Sequence, residues 1–486
     1  MNSLLDYDEL LNAVSGKAVG FAVCEKKFYF SSVVTDSRCV VDGSLFVPLI
    51  GQNQDGHKYI PQAIEKGATA VFVAADEYEK KSQKIMELAG GHPCVLFVVV
   101  SDTLYALQDA AAAYVAKFPR LLKIGITGSS GKTTTKEMTV AVLKQKYNVV
   151  YNEGNLNSET GLPLSVFKIK KEHEIGVFEM GMNRENEIGE IAAVLKPQYA
   201  LVTNIGTAHI GILGSRENIA GEKRKIFRYI PENGAAFIPS SDDFAAFLSE
   251  EIKGCIINYG KDIPSSESGV TFISDDGICG TTFKVGSKEV KLKLPGIYNY
   301  QNALGAVAIG RYFGVTDNSI KNALESFMPV AGRTETESFE LRGGTCVTLV
   351  KDCYNANPDS MAKVLTFCSS VKNIHRRIYV LGDMLELGTK SAEEHANIGA
   401  EAVMASPDQI IFIGTEMKYA AAAARSAGFT NALYIPGSDD NAMQLAAQFL
   451  IDCADTGDLL LFKASRGMQL ERIIPLIGIS EGNCNG

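Results

Sequence analysis

The amino-acid sequence predicts an α/β protein of three domains with mostly parallel sheets, and three observations lead to this prediction. The chain has 486 residues, which corresponds to about three domains of about 100–200 residues each. Short apolar runs alternate with helix-length segments along most of the chain, as in βαβ units. A glycine-rich turn joins one apolar run to the helix that follows it, and this arrangement is typical of phosphate-binding α/β folds.

The first domain is predicted to cover residues 1–118 and to have an α/β fold. Its predicted elements are two strands, a helix between them and an alanine-rich helix at the end, at Ser44–Pro48, Ala70–Ala74, Tyr59–Lys66 and Leu104–Lys117. Phe118-Pro119-Arg120 interrupts the helical pattern, because proline does not continue a helix. We therefore expect a domain boundary near residue 119.

The second domain is predicted to cover residues 119–334, with a parallel sheet and an antiparallel addition. Its parallel strands are expected at Lys123–Thr127, Ile175–Met180, Ala200–Asn204, Ala235–Pro239 and Cys255–Tyr259. Between 269 and 294 the pattern changes to short alternating runs with turns at Asp276-Gly277 and Gly286-Ser287, which indicates hairpins. A helix from Asn299 to Phe313 is expected to follow.

The third domain is predicted to cover residues 335–486 and to be a smaller, Rossmann-like α/β unit. A second alternating series begins after the second domain, which indicates a separate core. The strands of this series are expected at Cys346–Val350, Arg377–Leu381, Gln409–Ile413 and Asp458–Lys463.

Composition limits the partners and the compartment. The formal net charge is −9, which argues against nucleic acid or an anionic membrane as the main partner. The ten cysteines include no C-x-x-C pair, so reduced thiols are expected. The N-terminus is acidic and no apolar run approaches the roughly 18 residues of a membrane span. These features predict a cytoplasmic protein without membrane insertion.

The segment Lys123–Thr135 reads KIGITGSSGKTTT and predicts a nucleotide triphosphate site. Gly128 and Gly131 allow backbone N–H groups to face phosphate oxygens, and the N-terminus of the next helix adds positive potential. Lys132 is expected to reach the β- and γ-phosphates, and the Thr133 hydroxyl is expected to reach Mg²⁺. The other polar residues of the turn are Ser129, Ser130 and Thr134.

The glycine spacing departs from the usual phosphate-loop pattern. Ile126 stands six residues before Lys132, where a glycine is usual, and the first glycine of the turn is Gly128. The glycines also do not fit the dinucleotide-binding spacing G-x-G-x-x-G. An ordinary connection between a strand and a helix is the alternative interpretation.

Two side chains follow strands that neighbour this turn in the predicted sheet. Glu179 ends the strand Ile175–Met180, and His209 follows the next strand. Ligands of open α/β sheets bind at the carboxyl ends of strands, so Glu179 is a candidate Mg²⁺ ligand and His209 a candidate metal contact. The alternatives are a surface carboxylate and a structural histidine.

A lysine falls on the apolar face of a predicted helix. The segment Glu217–Phe227 places Ile219, Ile226 and Phe227 on one face, and Lys223 lies on the same face. Burial of an ammonium group is costly, so Lys223 is expected to have an anionic partner or a chemical modification. The alternative is a lysine whose stem packs while its charged end reaches water.

Two further features are less specific. Asn155 and Asn157 lie in a polar loop between the first two predicted strands of the second domain, and composition alone identifies only a loop. Arg333 lies at the expected junction with the third domain. An arginine there can neutralise a transferred phosphate when domains close, and a surface ion pair is the alternative.

Together, these motifs resemble the Mur ligase family along nearly the whole chain. The matching segments are Thr35–Arg38, Gly43–Leu49, Asp55–His57, Gly128–Thr133, Asn155–Asn157, Glu179–Gly181, Asn204–His209, Asn299, Asn302, Gly332-Arg333, Asp352–Pro358 and Ala464–Arg466. The segment Asp352–Pro358, followed by Ser360-Met361, resembles the members that add a dipeptide. The resemblance implies an ADP-forming ligase that adds D-alanyl-D-alanine to a UDP-N-acetylmuramoyl-tripeptide in cytoplasmic peptidoglycan synthesis.

The resemblance also implies roles for individual residues. It implies a monomer that binds the UDP-sugar end in the first domain and MgATP, with two Mg²⁺ sites, in the second. The implied substrate contacts are Ser37, Asp55, His57, Asn155, Asn157, Asn355 and Asn357. At the matching positions, Lys132 and Thr133 are implied to hold the phosphates, and Thr133 and Glu179 to hold one Mg²⁺. His209 is implied to bind the second Mg²⁺, and Lys223 to be a carbamylated lysine. Asn302 is implied to contact the adenine, and Arg333 and Asp352 to contact ATP at the domain junction.

Three positions depart from the family pattern. Tyr298 stands where histidine is frequent, and Lys225 stands two residues after Lys223, where an acidic residue is common. Lys351-Asp352 replaces an acidic pair, which leaves Asp352 alone for the nucleotide contact.

In the implied reaction, a substrate carboxylate attacks the γ-phosphate of ATP, and the dipeptide amine then displaces phosphate from the acyl phosphate. Such chemistry depends on positioning and charge neutralisation. Two alternatives stay open: a related or folylpolyglutamate-type ligase that adds one amino acid, and a nucleotide-dependent switch without ligase activity. The third residue of the peptide, lysine or diaminopimelate, also stays open.

Overall fold

The computed structural model describes residues 3–20, 28–51, 54–329 and 332–478. Over these ranges the chain forms four sheets in three α/β domains, and most strand pairs are parallel. The predicted fold class is therefore confirmed. Within the same ranges, no helix is long and apolar enough to cross a membrane.

Seven of the described cysteines have free thiols, at positions 39, 255, 279, 346, 353, 368 and 453. Cys24 and Cys484, which were expected to be reduced, lie outside the described residues.

The N-terminal domain contains a five-stranded sheet with strand order β1-β5-β4-β3-β2, in which only β1 is antiparallel to its neighbour. The strands are β1 (Lys17–Val19), β2 (Ser32–Val34), β3 (Ser44–Phe46), β4 (Ala68–Ala74) and β5 (Leu96–Val100). The helices are α1 (Tyr7–Val14), α2 (Ile60–Glu65), α3 (Ala75–Gly91) and α4 (Thr103–Ala116). Phe46 of β3, Phe72 of β4 and Phe97 of β5 are fully buried. The four elements predicted for this domain are present.

The central domain contains a six-stranded parallel sheet with strand order β11-β10-β9-β6-β8-β7. The strands are β6 (Leu122–Thr127), β7 (Val149–Tyr151), β8 (Ile175–Glu179), β9 (Tyr199–Val202), β10 (Ala235–Pro239) and β11 (Cys255–Tyr259). Strand β6 lies between β8 and β9, so the segments that follow these three strands meet at one edge of the sheet. The five predicted strands are confirmed, and the three-residue β7 was missed because so short a run has no clear periodicity.

The helices that accompany this sheet are α5 (Lys132–Leu143), α6 (Gly161–Val166), α7 (Glu187–Leu195), α8 (Ile210–Leu213), α9 (Arg216–Arg224), α10 (Ala245–Ser249) and α11 (Ser265–Ser268). The helix predicted over 217–227 is shorter than expected, because α9 ends at Arg224 and the chain continues as a 3-10 helix, Lys225–Tyr229. Its apolar face is confirmed, since Ile219, Ile226 and Phe227 are buried.

An antiparallel sheet adjoins the central domain, as the turn pattern predicted. Its strands are β12 (Val270–Asp275), β13 (Thr281–Val285) and β14 (Lys288–Leu292). Helices α12 (Ile297–Tyr312) and α13 (Asp317–Glu325) follow. Phe283 and Leu292 belong to the same buried cluster as Met138 of α5 and Ala303 of α12, so the added sheet shares the core of the central domain.

The C-terminal domain contains a six-stranded sheet with strand order β15-β16-β20-β17-β18-β19, in which β15 is an antiparallel edge strand. The strands are β15 (Glu335–Glu340), β16 (Cys346–Asp352), β17 (Arg377–Gly382), β18 (Gln409–Ile413), β19 (Ala432–Ile435) and β20 (Leu459–Lys463). The helices are α14 (Pro358–Ser370), α15 (Ser391–Met404), α16 (Met417–Ser426), α17 (Asp440–Cys453) and α18 (Ile474–Ile477). The four predicted strands are confirmed.

Candidate active site

A cavity of about 1110 Å³ lies between the central and C-terminal domains. The turn after β6, the start of α12 and the start of α14 all line it. The predicted site residues that line it are Ser129, Ser130, Gly131, Lys132, Thr133, Thr134, Asn155, Asn157, Glu179, His209, Asn302, Arg333, Asp352, Asn355 and Asn357. The fold thus brings together most of the candidates from two domains in one space.

The glycine-rich turn after β6 has a backbone that only glycine accommodates at two positions. Gly128 and Gly131 have φ angles of +152° and +77°. A Cβ atom would lie 1.8 Å from Oγ1 of Thr203 at Gly128, and 2.3 Å from Oδ1 of Asn302 at Gly131. The backbone N–H of Ser130 donates to the Asn204 side chain at 2.9 Å. The turn is therefore a rigid, close-packed loop.

Lys132 lies at the start of α5, directly after this loop. Its ammonium group donates a hydrogen bond to the carbonyl oxygen of Gly128 at 2.8 Å. Burial lowers the pKa of Lys132, while the negative charge of Glu179 acts in the opposite direction. A partly buried cation held over a glycine-rich loop is suited to bind an anion.

Glu179 ends β8 and is only 1% exposed, so the alternative of a surface carboxylate is wrong. One carboxylate oxygen accepts from the Thr133 hydroxyl at 2.8 Å, and the other accepts from the Asn157 amide at 2.6 Å. The Asn152 side chain fixes the same strand end with two hydrogen bonds. Its oxygen accepts from the backbone N–H of Glu179, and its NH₂ group donates to the backbone carbonyl of Glu179. The carboxylate is thus fixed beside the phosphate loop.

His209 has a left-handed backbone, with a φ angle of +65°. Its Nδ1 atom lies 3.2 Å from a carboxylate oxygen of Glu386, which comes from the C-terminal domain. Burial lowers the pKa of His209, and the nearby His209 side chain lowers the pKa of Glu386. Glu386 was not predicted from the sequence, although its position after the predicted strand Arg377–Leu381 follows the same strand-end rule as Glu179.

Lys223 is 1% exposed, so its charged end does not reach water and that alternative is wrong. The ammonium donates to the carbonyl oxygen of Gly128 at 3.0 Å. This partner is a neutral carbonyl, whereas an anion or a modification was expected. Burial, followed by the positive charge of Lys132, holds the pKa of Lys223 well below its ordinary value. Lys223 lies beneath the loop and does not line the cavity.

Arg333 connects the domain junction to the phosphate loop. Its guanidinium donates to the Thr133 hydroxyl at 3.0 Å and lies over the Tyr354 ring, 4.3 Å from the ring centroid. The Nε atom is buried and has no hydrogen-bond partner among the described residues. The surface ion pair considered as an alternative is therefore wrong.

Asp352 ends β16 and faces the same cavity. Its carboxylate pairs with the buried Lys463 at 2.8 Å and accepts a hydrogen bond from the Thr334 backbone at 3.3 Å. The sequence analysis did not identify Lys463, which ends the neighbouring strand β20. Lys351, at the position of the missing acid, pairs with Glu335 at 3.0 Å.

The asparagine candidates of the cavity differ in how far their side chains are already engaged. The Asn302 amide donates to Asn299 at 3.1 Å, whereas Asn357 caps α14 by accepting from the Ser360 backbone at 2.9 Å. Asn355 accepts from its own neighbour Ala356 at 2.9 Å. Asn357 therefore stabilises the start of α14 whether or not it contacts a ligand.

The two other departures from the family pattern have local partners. The Tyr298 hydroxyl donates to the hydroxyl of Thr334 at 2.9 Å. Lys225 pairs with Glu222 at 2.6 Å, and Glu222 accepts from the N–H groups of Asn186 and Ile188 at the start of α7. Tyr298 therefore lines the cavity with its hydroxyl engaged, whereas Lys225 pairs with a glutamate that supports the start of α7.

The candidates of the N-terminal domain lie outside this cavity. Ser37 donates to the Gln62 side chain at 2.7 Å. Nδ1 of His57 lies 2.6 Å from the Asp55 carboxylate, and its Nε2 accepts from the Ala74 backbone at 3.0 Å. Both ring nitrogens of His57 are therefore engaged within the domain itself.

The oxygen atoms beside the loop are suited to bind a magnesium ion that phosphate oxygens also coordinate. Over the described ranges, no three His, Cys, Asp or Glu side chains gather into a metal cage. Magnesium commonly takes one or two protein carboxylates together with substrate phosphates. Glu179 and the Thr133 hydroxyl, in contact beside the phosphate loop, form such a partial set of oxygen ligands.

Three family models match the chain. They are the Mur ligase family catalytic domain over residues 29–115, the Mur ligase middle domain over 126–310, and the Mur ligase glutamate ligase domain over 332–466. The matches follow one another along the chain in the order of the three domains.

Relatives match over most or nearly all of their length. A UDP-N-acetylmuramoyl-tripeptide--D-alanyl-D-alanine ligase of Treponema pallidum is 38% identical, over 98% of this chain and 99% of the relative. Ligases of the same name from Bacillus subtilis and Escherichia coli are 34% and 32% identical, over 91% and 79% of this chain and 92% and 81% of the relatives.

Solved structures agree with the sequence matches. A crystal structure of MurF from Acinetobacter baumannii superposes with a TM-score of 0.80 at 26% identity, covering 96% of this chain and 97% of that one. MurF ligase from Thermotoga maritima in complex with ADP superposes with a TM-score of 0.73 at 27% identity, covering 92% and 96%.

Proposed function

The chain belongs to the Mur ligase family, and from this premise we propose that it adds D-alanyl-D-alanine to a UDP-N-acetylmuramoyl-tripeptide, with conversion of ATP to ADP. The names of the relatives support this activity, since they match from 30% to 38% identity over most of the chain. The observation that carries the proposal is the convergence of Lys132, Thr133, Glu179 and Arg333 in one cavity between two domains.

In the first step, the carboxylate of the tripeptide attacks the γ-phosphate of ATP. Lys132 and the loop N–H groups hold the phosphates, and Arg333 lines the same space at the domain junction. Charge neutralisation and alignment supply most of the rate enhancement in phosphoryl transfer. We assign Asn302 to the adenine and Asp352 to the nucleotide at the domain junction.

The donor set beside the loop would hold Mg²⁺ through Glu179 and Thr133, and a second ion through His209. When bound, magnesium neutralises phosphate charge and fixes the alignment of the phosphates. Glu386 faces Nδ1 of His209 and would fix the tautomer of the imidazole, as carboxylates beside metal-binding histidines do.

Lys223 is the proposed site of carbamylation. A carbamate forms on a neutral amine, and burial lowers the pKa of this amine well below its ordinary value. The modification would convert a buried cation into an anion that metal ions can neutralise. It requires the ammonium to release its present hydrogen bond to Gly128.

In the second step, the amine of D-alanyl-D-alanine displaces phosphate from the acyl phosphate. We place the dipeptide near Asn355 and Asn357, between the two domains, and the peptide end of the other substrate near Asn155 and Asn157, which line the same cavity. The UDP-sugar end is assigned to the N-terminal domain near Ser37, Asp55 and His57. Enclosure between domains would protect the acyl phosphate from water.

We further propose domain boundaries near residues 118 and 334 and a monomeric, cytoplasmic enzyme. The N-terminal, central and C-terminal segments each form a large sheet of their own, and this division supports the boundaries. Size-exclusion chromatography with light scattering tests the monomer, and a stable dimer at micromolar concentration would contradict it.

The activity is tested by ADP release with ATP, Mg²⁺ and each of two UDP-tripeptides, ending in lysine or in diaminopimelate. ADP is expected only when one tripeptide and D-alanyl-D-alanine are both present. Single amino acids replace the dipeptide in the control, and ADP release with one of them would instead identify a ligase that adds an amino acid. Hydroxylamine with the UDP-tripeptide should give a hydroxamate, and its absence together with no ligation would favour a nucleotide switch.

A further inference from the structure

A lysine of the C-terminal domain reaches the phosphate loop of the central domain. Lys363 lies on the second turn of α14, and its ammonium is 2.8 Å from the hydroxyl oxygen of Ser130. Both residues line the cavity. This contact joins two residues that are 233 positions apart in the sequence, and no motif identified in the sequence includes Lys363.

Among the described residues, no carboxylate lies within ion-pair distance of the Lys363 ammonium. Asp359 and Asp242 are the acidic residues that act on it, but burial outweighs them and lowers its pKa. Asp359 accepts hydrogen bonds from the backbone N–H and the hydroxyl of Thr207. Asp242 accepts from the backbone N–H groups of Ile205 and Phe244. Both carboxylates are therefore engaged by other donors.

A serine hydroxyl is a weak partner for such a group. An ammonium has three N–H donors, and a partly buried cation is costly unless an anion compensates it. The Ser130 hydroxyl accepts a second hydrogen bond from the Asn204 amide at 3.0 Å. The contact with Ser130 therefore compensates little of the positive charge of the Lys363 ammonium.

The position of Lys363 indicates which anion would compensate its charge. Lys132 lies at the Gly128 end of the loop, and Arg333 lies at the Thr133 hydroxyl. Lys363 is a third cation, at Ser130, and it approaches from the C-terminal domain. Three cations from two domains thus surround the space in front of one phosphate loop.

We propose that Lys363 binds the phosphate chain of the nucleotide from the side of the C-terminal domain. This inference rests on the proposed function, because the nucleotide is ATP. The contact would add a charge-assisted hydrogen bond that requires α14 to lie against the loop, so bound nucleotide would favour the arrangement in which the two domains enclose the cavity.

The test is equilibrium binding of ATP, ADP, AMP and adenosine, with Mg²⁺, to Lys363→Met and to the natural protein. Methionine keeps an unbranched side chain that is one atom shorter and removes the ammonium group with its charge. The dissociation constant for ATP should rise about tenfold or more, which is the effect of losing one hydrogen bond to a charged group. Binding of adenosine should change less than about twofold, because adenosine carries no phosphate.

Two further variants serve as controls. Lys372→Met removes an exposed lysine just beyond α14 and should leave all four dissociation constants unchanged. Lys363→Arg keeps the charge and should retain most of the ATP affinity, which also covers the case in which Lys363→Met fails to fold.

Unchanged ATP affinity in Lys363→Met, or loss of affinity in Lys363→Arg equal to that in Lys363→Met, would overturn the proposal. An equal loss for adenosine and ATP would also overturn it, because Lys363 would then only hold α14 to Ser130. Failure of the natural protein to bind ATP is a different result, since it would refute the proposed function itself.

Discussion

The guanidinium of Arg333 donates a hydrogen bond to the hydroxyl of Thr133 at 3.0 Å, across the junction between the central and C-terminal domains. Thr133 in turn donates to the buried carboxylate of Glu179 at 2.8 Å. A residue at the junction with the C-terminal domain therefore contacts the site in which the central domain is expected to hold phosphate and magnesium. This chain of contacts couples the domain junction to the geometry of the site.

Replacement of Lys132 by alanine should abolish turnover while the fold is retained. Within the described part of the chain, the lysine donates only to loop carbonyls, so its removal deletes the expected phosphate contact without opening the apolar core. ADP release and circular dichroism measure the two effects. Lys171→Ala, which alters an exposed lysine of the same domain, is the matched control. Near-normal ADP release by Lys132→Ala would refute the phosphate role.

Arg333→Lys should lower kcat by about 100-fold or more, because arginines that neutralise a transferred phosphoryl group contribute about 10³–10⁵ to the rate. Lysine keeps the charge, but it lacks the planar group that lies over Tyr354 and contacts Thr133. Steady-state kinetics with varied ATP separates kcat from KM. A change confined to the KM for ATP would show that Arg333 only binds nucleotide.

Glu179→Gln should raise the Mg²⁺ concentration required for half-maximal activity by about tenfold or more. The amide carries no charge for the metal, and its NH₂ group would face the Thr133 or Asn157 donor. A magnesium titration of ADP release measures this effect. Glu172→Gln changes an exposed glutamate just before the same strand and should titrate as the natural protein does. Identical titrations for the two variants would remove Glu179 from the metal site.

Activity should fall when carbon dioxide is removed from the buffer, and added bicarbonate should restore it. The low pKa of the Lys223 amine favours its neutral form, and only the neutral amine reacts with carbon dioxide. Lys223→Ala should be inactive with or without bicarbonate. If the natural protein stays fully active during a long incubation in carbon-dioxide-free buffer, carbamylation of Lys223 is not required for activity.

Phe237→Ala should destabilise the central domain by about 3–5 kcal/mol, as large-to-small substitutions in a core do. The ring is fully buried in the middle of β10, so alanine leaves a cavity. Urea unfolding measures the effect, and the control is Phe272→Ala in the adjoining sheet, where the side chain is 44% exposed. Equal midpoints for the two variants would contradict the burial of Phe237.

Much of the fold could be predicted because the buried strands are continuous apolar runs. Five strands of the central sheet and four of the C-terminal sheet lie where the sequence places them. The short strand Val149–Tyr151 was missed, and the helix at 217–227 changes to a 3-10 helix after Arg224. Ends of elements depend on tertiary contacts, and these leave little trace in local periodicity.

The candidate site was predicted in part for the same reason. Glu179 and His209 follow strands that any parallel sheet would align, so the strand-end rule was sufficient to select them. Glu386, Lys363 and Lys463 come from the C-terminal domain and face the cavity only because the two domains meet. The strand-end rule could have selected Glu386, but nothing in the local sequence indicates that the two domains meet at these side chains.

The amino-acid sequence by itself determined the α/β class, the glycine-rich loop and the family to which the chain belongs. These depend on local chemistry: apolar periodicity, the torsional freedom of glycine and the spacing of polar residues. Only the tertiary structure decided that Lys223 binds a neutral carbonyl, that Asp352 pairs with Lys463, and that Lys363 faces Ser130. Pairing of charges depends on distance and burial, and both are properties of the packed domains.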